Sequence, residues 1–450
     1  MKKTAVINIV GLNQVSELTP ELYEYTKTWN SSKIKPAFPA VTCSAQTTYL
    51  TGTTPSNHGI CGNGWYYKEE NEIKFWKQSA ALVQQERIWD TLKRTNPEIK
   101  VANLFWWFNM YSTADIEVTP RPMYPADGRK IPDIFTKPYH LRKDLQETLG
   151  QFPLFHFWGP AASIKSSQWI AACAKYIEEH ESPDLTFVYI PHLDYDLQRF
   201  GPSSEKALKA YKEVDALVMD LLQYYEKKNI HTILLSEYAI EEVHQEIALN
   251  RILRKHNYIQ IREELGKELL DAGSSRAFAV CDHQIAHIYT KHTKEVYDLL
   301  SKVDGIDELL DKEQQKKLGV NHDRSGDMIA VAKQGYWFSY YYWDDHSRAP
   351  DFASTVDIHR KPGYVPAELL IDKKILFPKL KIVYRLLQKK MGLRMLMDVI
   401  PVTGADVKGS HGRIPSDMEN FPFYSSKKHA HNKILLAEDI KKVILEEICS

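Results

Sequence analysis

The sequence predicts an α/β fold built on a mostly parallel central sheet, with helices on both faces and cap insertions. Three observations carry that expectation. Short apolar runs of strand length (TAVINIV, LTFVYI, HTILL) recur along the chain with helix-length segments between them. The runs are apolar throughout instead of alternating, as strands covered on both faces are. The polar residues capable of chemistry cluster just after these runs, where the carboxyl ends of parallel strands gather ligands.

Taken in order, Thr4 to Val10 (TAVINIV) reads as a buried first strand closed by Gly11. Residues 38–65, FPAVTCSAQTTYLTGTTPSNHGICGNGW, do not alternate like a strand and look too polar for a core helix. Thr42 is expected at a helix N-cap, just before CSAQTTYLTG. A helix is expected over Glu86–Asn96, then a strand over Ile99–Trp107. Residues 111–165, rich in Pro, Tyr and Phe, read as an inserted cap or long loops. Helical spacing returns over Gln168–Glu179, followed by the strand Leu185–Ile190, the amphipathic helix Glu205–Lys227 and the strand His231–Tyr238. Arg324–Tyr342 reads as strands, and a second irregular insertion runs from about 343 to 407. The whole of 1–450 is expected to form one domain.

Bulk composition narrows the function. The 450 residues are 43% hydrophobic, and Lys plus Arg equals Asp plus Glu at 58 each. Net charge therefore points to neither a nucleic-acid polymer nor a membrane surface. The five cysteines are scattered, with no CxxC pair, which argues against a zinc ribbon or a disulfide scaffold. The N-terminal MKKTAVINIVGLNQ has its apolar run broken by Asn8 and no small-residue cleavage site, so it is taken as a strand and not a secretion signal. No run approaches the ~18 apolar residues of a membrane span, and a cytoplasmic location is expected.

A helix N-terminus offers free N–H groups to a phosphate, and a Thr hydroxyl there can attack phosphorus once its pKa is lowered. The plainer reading of Thr42 is a capping threonine. The pattern around it goes further. FPAVT, the TG-x-x-P turn and HGICGN resemble the nucleophile segment of the nucleotide pyrophosphatase/phosphodiesterase family of the alkaline phosphatase superfamily. The resemblance continues through IPHLDYDLQRFGP, KEVDALVMDLL, LLSEY, RSGDMIAVA and GSHG, in the same order. It implies an alkaline-phosphatase-like fold and a metal-assisted hydrolase of phosphodiester or pyrophosphate bonds, working through a phosphothreonine intermediate. The substrate implied is small and phosphorylated, a nucleotide being one candidate.

By the same resemblance Thr42 matches the nucleophile and Asn63 the amide that binds phosphoryl oxygens. Asp194 and His411 match ligands of one zinc ion, but the histidine expected four residues after Asp194 is Gln198. At the second ion the expected Asp, Asp and His are Val10, Glu237 and Tyr238. Valine binds no metal, and an amide or a phenol replaces imidazole poorly. One divalent ion per chain, zinc on ligand type, is therefore expected near Asp194 and His411. Asp196 is a further candidate ligand, because two residues apart on extended backbone face the same side, and His192 shares that face. Asp345, His346, Asp357 and His359 in the second insertion are other candidate donors, while Asp282, His283 and His287 read as strand-end and loop residues.

Other chemistries are disfavoured. Cys43-Ser44-Ala45-Gln46-Thr47 lacks the arginine of the sulfatase modification motif, and no P-loop, HExxH or GxSxG is present. The aromatic runs NLFWWFNMYS and YWFSYYYW, with Trp106, Trp107 and Trp343, are candidates to stack a base or an aryl leaving group. The departures at the metal positions keep two alternatives open: a non-catalytic descendant binding an anion or a partner, and a group-transfer enzyme of a biosynthetic pathway.

Overall fold

In the computed structural model, which describes residues 2–428 and 433–449, Thr4–Ile9 is a strand with all six residues buried. It pairs in parallel with Leu185–Ile190 on one side and His231–Leu235 on the other. Parallel pairing continues from Leu185–Ile190 to Val101–Leu104 and then to Ile116–Pro120. An antiparallel strand, Ile134–Lys137, closes that edge. At the other edge Phe423–Ser426 runs antiparallel, followed by Asn30–Lys35 and Ile434–Leu436. Among the described residues this sheet has nine strands. The helices Ile164–His180 and Glu205–Lys227 pack along it, each near the strand it adjoins in sequence.

A second sheet of four antiparallel strands comprises Ala277–Asp282, Ile285–Thr290, Ile306–Leu310 and Met328–Ala332. Its apolar residues form a cluster with Trp337 and the Tyr340–Trp343 run, separate from the cluster around the central sheet. The turn between its first two strands carries His283 at φ +60, a left-handed conformation. That turn reaches the carboxyl ends of the central strands, where the candidate site lies.

Several elements differ from the sequence expectation. Residues 38–65 do contain a core helix: Thr42–Thr51 is helical, and all ten residues are buried. Its polarity is satisfied locally. Thr47 and Thr51 donate to the carbonyls of Cys43 and Thr47, one turn back, at 2.7 Å each. Ser44 donates to the Ile60 carbonyl at 3.0 Å, and Gln46 accepts from the Trp107 N–H at 2.7 Å. Residues 111–165 are not only cap, since Ile116–Pro120 and Ile134–Lys137 belong to the central sheet. The segment after Leu185–Ile190 is not extended either; His192–Phe200 is a helix. The second insertion contains short 3-10 turns and a helix over Pro378–Lys390.

The late GSHG segment is held against that His192–Phe200 helix by a close backbone approach. Gly409 pairs with Glu242, and a Cβ at Gly409 would lie 2.2 Å from the Leu197 carbonyl oxygen and 2.8 Å from Ile240 Cγ2. Only glycine fits there. Gly409→Ala should therefore lower stability by about 1–3 kcal/mol through overpacking, read as a lower urea midpoint with an unchanged slope.

Candidate active site

Thr42 sits at the floor of a large cavity, at the start of its helix. The N-cap is Val41 in extended conformation, so Thr42 is the first helical residue and not the cap. The capping role falls to Asn63, whose Oδ1 accepts the Cys43 N–H at 3.0 Å from a distant loop. Asn63 is itself clamped by Asp282, which accepts its backbone N–H at 2.8 Å and its Nδ2–H at 3.0 Å. With capping done by Asn63, the Thr42 hydroxyl is left to face the cavity.

There it lies 3.0 Å from the Tyr238 hydroxyl, which donates to Asp194 Oδ1 at 3.1 Å. The phenolic O–H thus points at Asp194, and the Thr42 hydroxyl donates to the Tyr238 oxygen. Asp194 is 13% exposed, its opening toward the cavity. Burial pushes its carboxyl up to about 7, against the pull of the Tyr238 and Gln198 contacts. His411 donates from Nδ1 to the Ala40 carbonyl at 2.8 Å, which leaves Nε2 facing Asp194 Oδ1 at 3.8 Å. Burial, with His283 beside it, holds the His411 imidazole well below its ordinary range, so it is neutral.

The floor is completed by a stack of four rings. Tyr238 lies on His411 with centroids 3.6 Å apart and planes 7° from parallel. His411 meets His283 at 3.7 Å, and His283 meets Tyr364 at 3.7 Å. The Tyr364 hydroxyl donates to Gln198 Oε1 at 3.0 Å, and His283 Nδ1 donates to Asp282 at 2.8 Å. On the far side of Thr42, Glu237 is wholly buried and accepts from Asn8 Nδ2 at 3.0 Å. Burial drives its carboxyl up to about 8.

The cavity above has a volume of about 1300 Å³ and is lined by eight Lys and Arg side chains against four Asp. Trp107 and Trp76 line it, with ring centroids 5.0 Å apart. Trp106 and Trp343 do not: both are fully buried, Trp106 against Phe187 and Trp343 among Tyr340, Tyr341 and Tyr342. Of the three tryptophans singled out in the sequence, only Trp107 is placed to touch a ligand.

The model of the type I phosphodiesterase/nucleotide pyrophosphatase family matches residues 5–365, well over half of the sequence. The chain belongs to that family. Membership makes it an enzyme of the phosphodiesterase and pyrophosphatase hydrolase class. No curated protein sequence matches it. Among solved structures it resembles murine ectonucleotide pyrophosphatase/phosphodiesterase 5 at 15% identity and TM-score 0.58, covering 100% of this chain and 95% of that one. An inactive form of the murine protein in complex with AMP gives 15% identity and TM-score 0.59, with the same coverage. Phosphonoacetate hydrolase from Sinorhizobium meliloti, in complex with phosphonoformate, gives 12% identity and TM-score 0.60, covering 99% and 96%. At such identities the likeness is one of fold.

Phosphodiesterases of this family are generally metal-dependent, so the donor set needs testing against a metal. Tightly held zinc takes three or four protein ligands. Among the described residues no group of three His, Cys, Asp or Glu is arranged to hold an ion. Asp194 and His411 converge, but Asp196 does not join them. The expectation that it shares a face with Asp194 assumed extended backbone; on the His192–Phe200 helix two residues apart point to different sides. Asp196 instead pairs with Arg199 at 2.5 Å, and His192 pairs with Glu213 at 2.8 Å. Glu237 is engaged by Asn8, and Val10 is buried. From the second insertion, Asp357 and His359 reach the cavity lining, whereas Asp345 caps a short turn through Ser347. The described residues do not make the two-ion centre that the resemblance implies. The three polar departures each have a protein partner instead: Tyr238 on Asp194, Gln198 on Tyr364, Glu237 on Asn8.

Asp282 and His283 went unrecognised as site residues. Their only local signal is an Asp-His pair at a strand end, and nothing in the sequence says which distant loop that turn touches. Tyr364 had no signal at all.

The raised Glu237 carboxyl has a consequence for stability. In the unfolded chain it ionises in the ordinary carboxylate range, so from there up to about 8 the folded state holds a proton that the unfolded state has lost. That contribution is complete below the unfolded value and disappears as pH rises through about 8. Chelator-treated protein should lose stability as pH rises from about 4.5 to about 8 and level off above that, and Glu237→Gln should flatten the loss. Denaturant midpoints measured across the range check it.

Proposed function

We propose that the chain hydrolyses a phosphodiester or pyrophosphate bond of a small phosphorylated substrate, with Thr42 as nucleophile. The observation that carries this is the hydrogen-bonded series Thr42–Tyr238–Asp194 at the cavity floor. In the first step the Thr42 Oγ1–P bond forms as the P–O bond to the leaving group breaks. The Thr42 proton passes to the Tyr238 oxygen, and the phenolic proton passes to Asp194. In the second step water attacks the phosphothreonine phosphorus and the P–Oγ1 bond breaks; the Asp194 proton returns through Tyr238 to the Thr42 oxygen, and the proton that water loses goes to the expelled leaving group or to solvent. A carboxyl ionising at about 7 is suited to accept a proton at neutral pH. The basic excess of the lining supports binding of the phosphoryl group, while Asn63, clamped by Asp282, holds the first turn of the helix that carries Thr42. Trp107 and Trp76 offer faces for the leaving group, and AMP in the murine relative is consistent with a nucleotide there.

A divalent ion would meet Asp194 and His411 at this floor, and two donors support only weak binding. After extensive dialysis the protein should retain well under one equivalent of zinc by elemental analysis. Two equivalents would mean that the cavity rearranges to supply ligands.

Kinetics test the relay. Thr42→Ala should abolish turnover of an aryl phosphodiester with a nearly unchanged melt. Tyr238→Phe keeps the ring on His411 but removes the hydroxyl, and should lower kcat by roughly 10²-fold or more. Turnover of the wild type should rise with pH through about 7, as Asp194 loses its proton. Wild-type rates in both variants would defeat the scheme. A wild type that binds phosphorylated ligands yet never turns them over would favour the non-catalytic alternative.

A further inference from the structure

The helix Pro378–Lys390 is built inside out. Leu376, Leu380, Val383, Tyr384, Leu387 and Met391 recur at helical spacing and form one stripe. That stripe faces outward, from 52% exposed at Val383 to 87% at Leu376, and no residue of the helix is buried. The opposite face is basic and turned toward the protein. Lys381 and Arg385 pair with Asp398 at 2.9 and 3.0 Å, and Lys389 donates to the Lys130 carbonyl at 3.4 Å. These three bonds fix the rotation of the helix, so the exposed stripe is not an accident of an unattached segment. Soluble monomers seldom leave a contiguous apolar patch of this kind uncovered.

We propose that this helix is a docking surface for an anionic lipid bilayer, with the stripe entering the boundary between headgroups and acyl chains. Two observations select that occupant. Residues 371–394 carry eight Lys and Arg and a single acidic residue, Asp372. Lys374, Lys379 and Lys390 flank the stripe, and such a ring complements anionic headgroups. A second copy of the chain would set this ring against itself across a two-fold axis, like charge on like. The second observation is continuity with the cavity. Ile382, Arg385, Leu386 and Lys389 of this helix, with Leu393 and Met395 just beyond it, line the space that ends at Thr42. Docking the outer face would set the cavity mouth beside the lipid layer. The zero net charge of the chain conceals this local excess, and no helix among the described residues is long and apolar enough to cross a membrane. Surface docking needs neither a net charge nor a span. The proposal does not depend on the catalytic reading.

Vesicle flotation of the full chain tests it. The protein should float with vesicles of mixed phosphatidylcholine and phosphatidylserine, and less with phosphatidylcholine alone or at high salt. The double variant Leu380→Glu, Leu387→Glu alters only outward-facing positions. It should bind the mixed vesicles at least about tenfold more weakly, in keeping with the apolar area withdrawn from lipid. Its melt and its turnover of a water-soluble aryl phosphodiester should match the wild type. Wild-type protein that stays in the aqueous phase would overturn the proposal. So would a lipid-free dimer that the double variant converts to monomer, since the stripe would then be a self-contact.

Discussion

Asp194 has little solvent around it, and besides Gln198 it is the Tyr238 hydroxyl that answers its charge. That single contact orders the rest of the floor. To reach Asp194 the phenol must lie flat on His411, and His411 in turn is fixed by the Ala40 carbonyl just ahead of the Thr42 helix. The stack continues to His283 and Tyr364, whose hydroxyl takes up Gln198. A buried polar group without a partner costs about 1–3 kcal/mol. The floor therefore behaves as a set: a histidine at position 238 would abandon both Thr42 and Asp194, unless an ion took over.

The same logic of satisfied burial explains how a polar helix can stand at the centre of the site. Thr42–Thr51 has almost no apolar face, and in isolation it would prefer water. Its hydroxyls bond back to carbonyls one turn earlier, and Asn63 closes its first turn from outside. Such a helix depends on its surroundings more than an apolar one does. It also presents a nucleophile on a rigid element, with the Thr42 hydroxyl spared from capping because a distant amide does that work.

The central sheet was legible because its signal is local. Strands buried on both faces must be apolar along their whole length, and Leu185–Ile190 and Glu205–Lys227 were read to the same residues that the structure shows. The helix after Leu185–Ile190 was missed because HLDYDLQRF mixes polar and apolar residues at a spacing that also suits a strand end. That error carried Asp196 and His192 into the candidate site, since the face a residue shares depends on whether the backbone period is two or 3.6. The two strands inside 111–165 were missed for another reason: both are short, and one ends in proline.

By itself the sequence determined which side chains were available: a threonine at a helix start, Asn63, Asp194 and His411, and no histidine at 198 or 238. Those are matters of identity, and identity is local. Only the tertiary structure decided what the replacements do. Tyr238 joins Thr42 to Asp194, and Asp282 and His283 come from a separate sheet to clamp Asn63 and extend the ring stack. The direction in which the Pro378–Lys390 helix faces belongs here too. Its pattern states that it has an apolar side and a basic side, but ion pairs to Asp398, fixed by the fold, choose which one meets the solvent. Contacts between residues far apart in the chain are set by how whole elements pack, and no local pattern encodes that geometry.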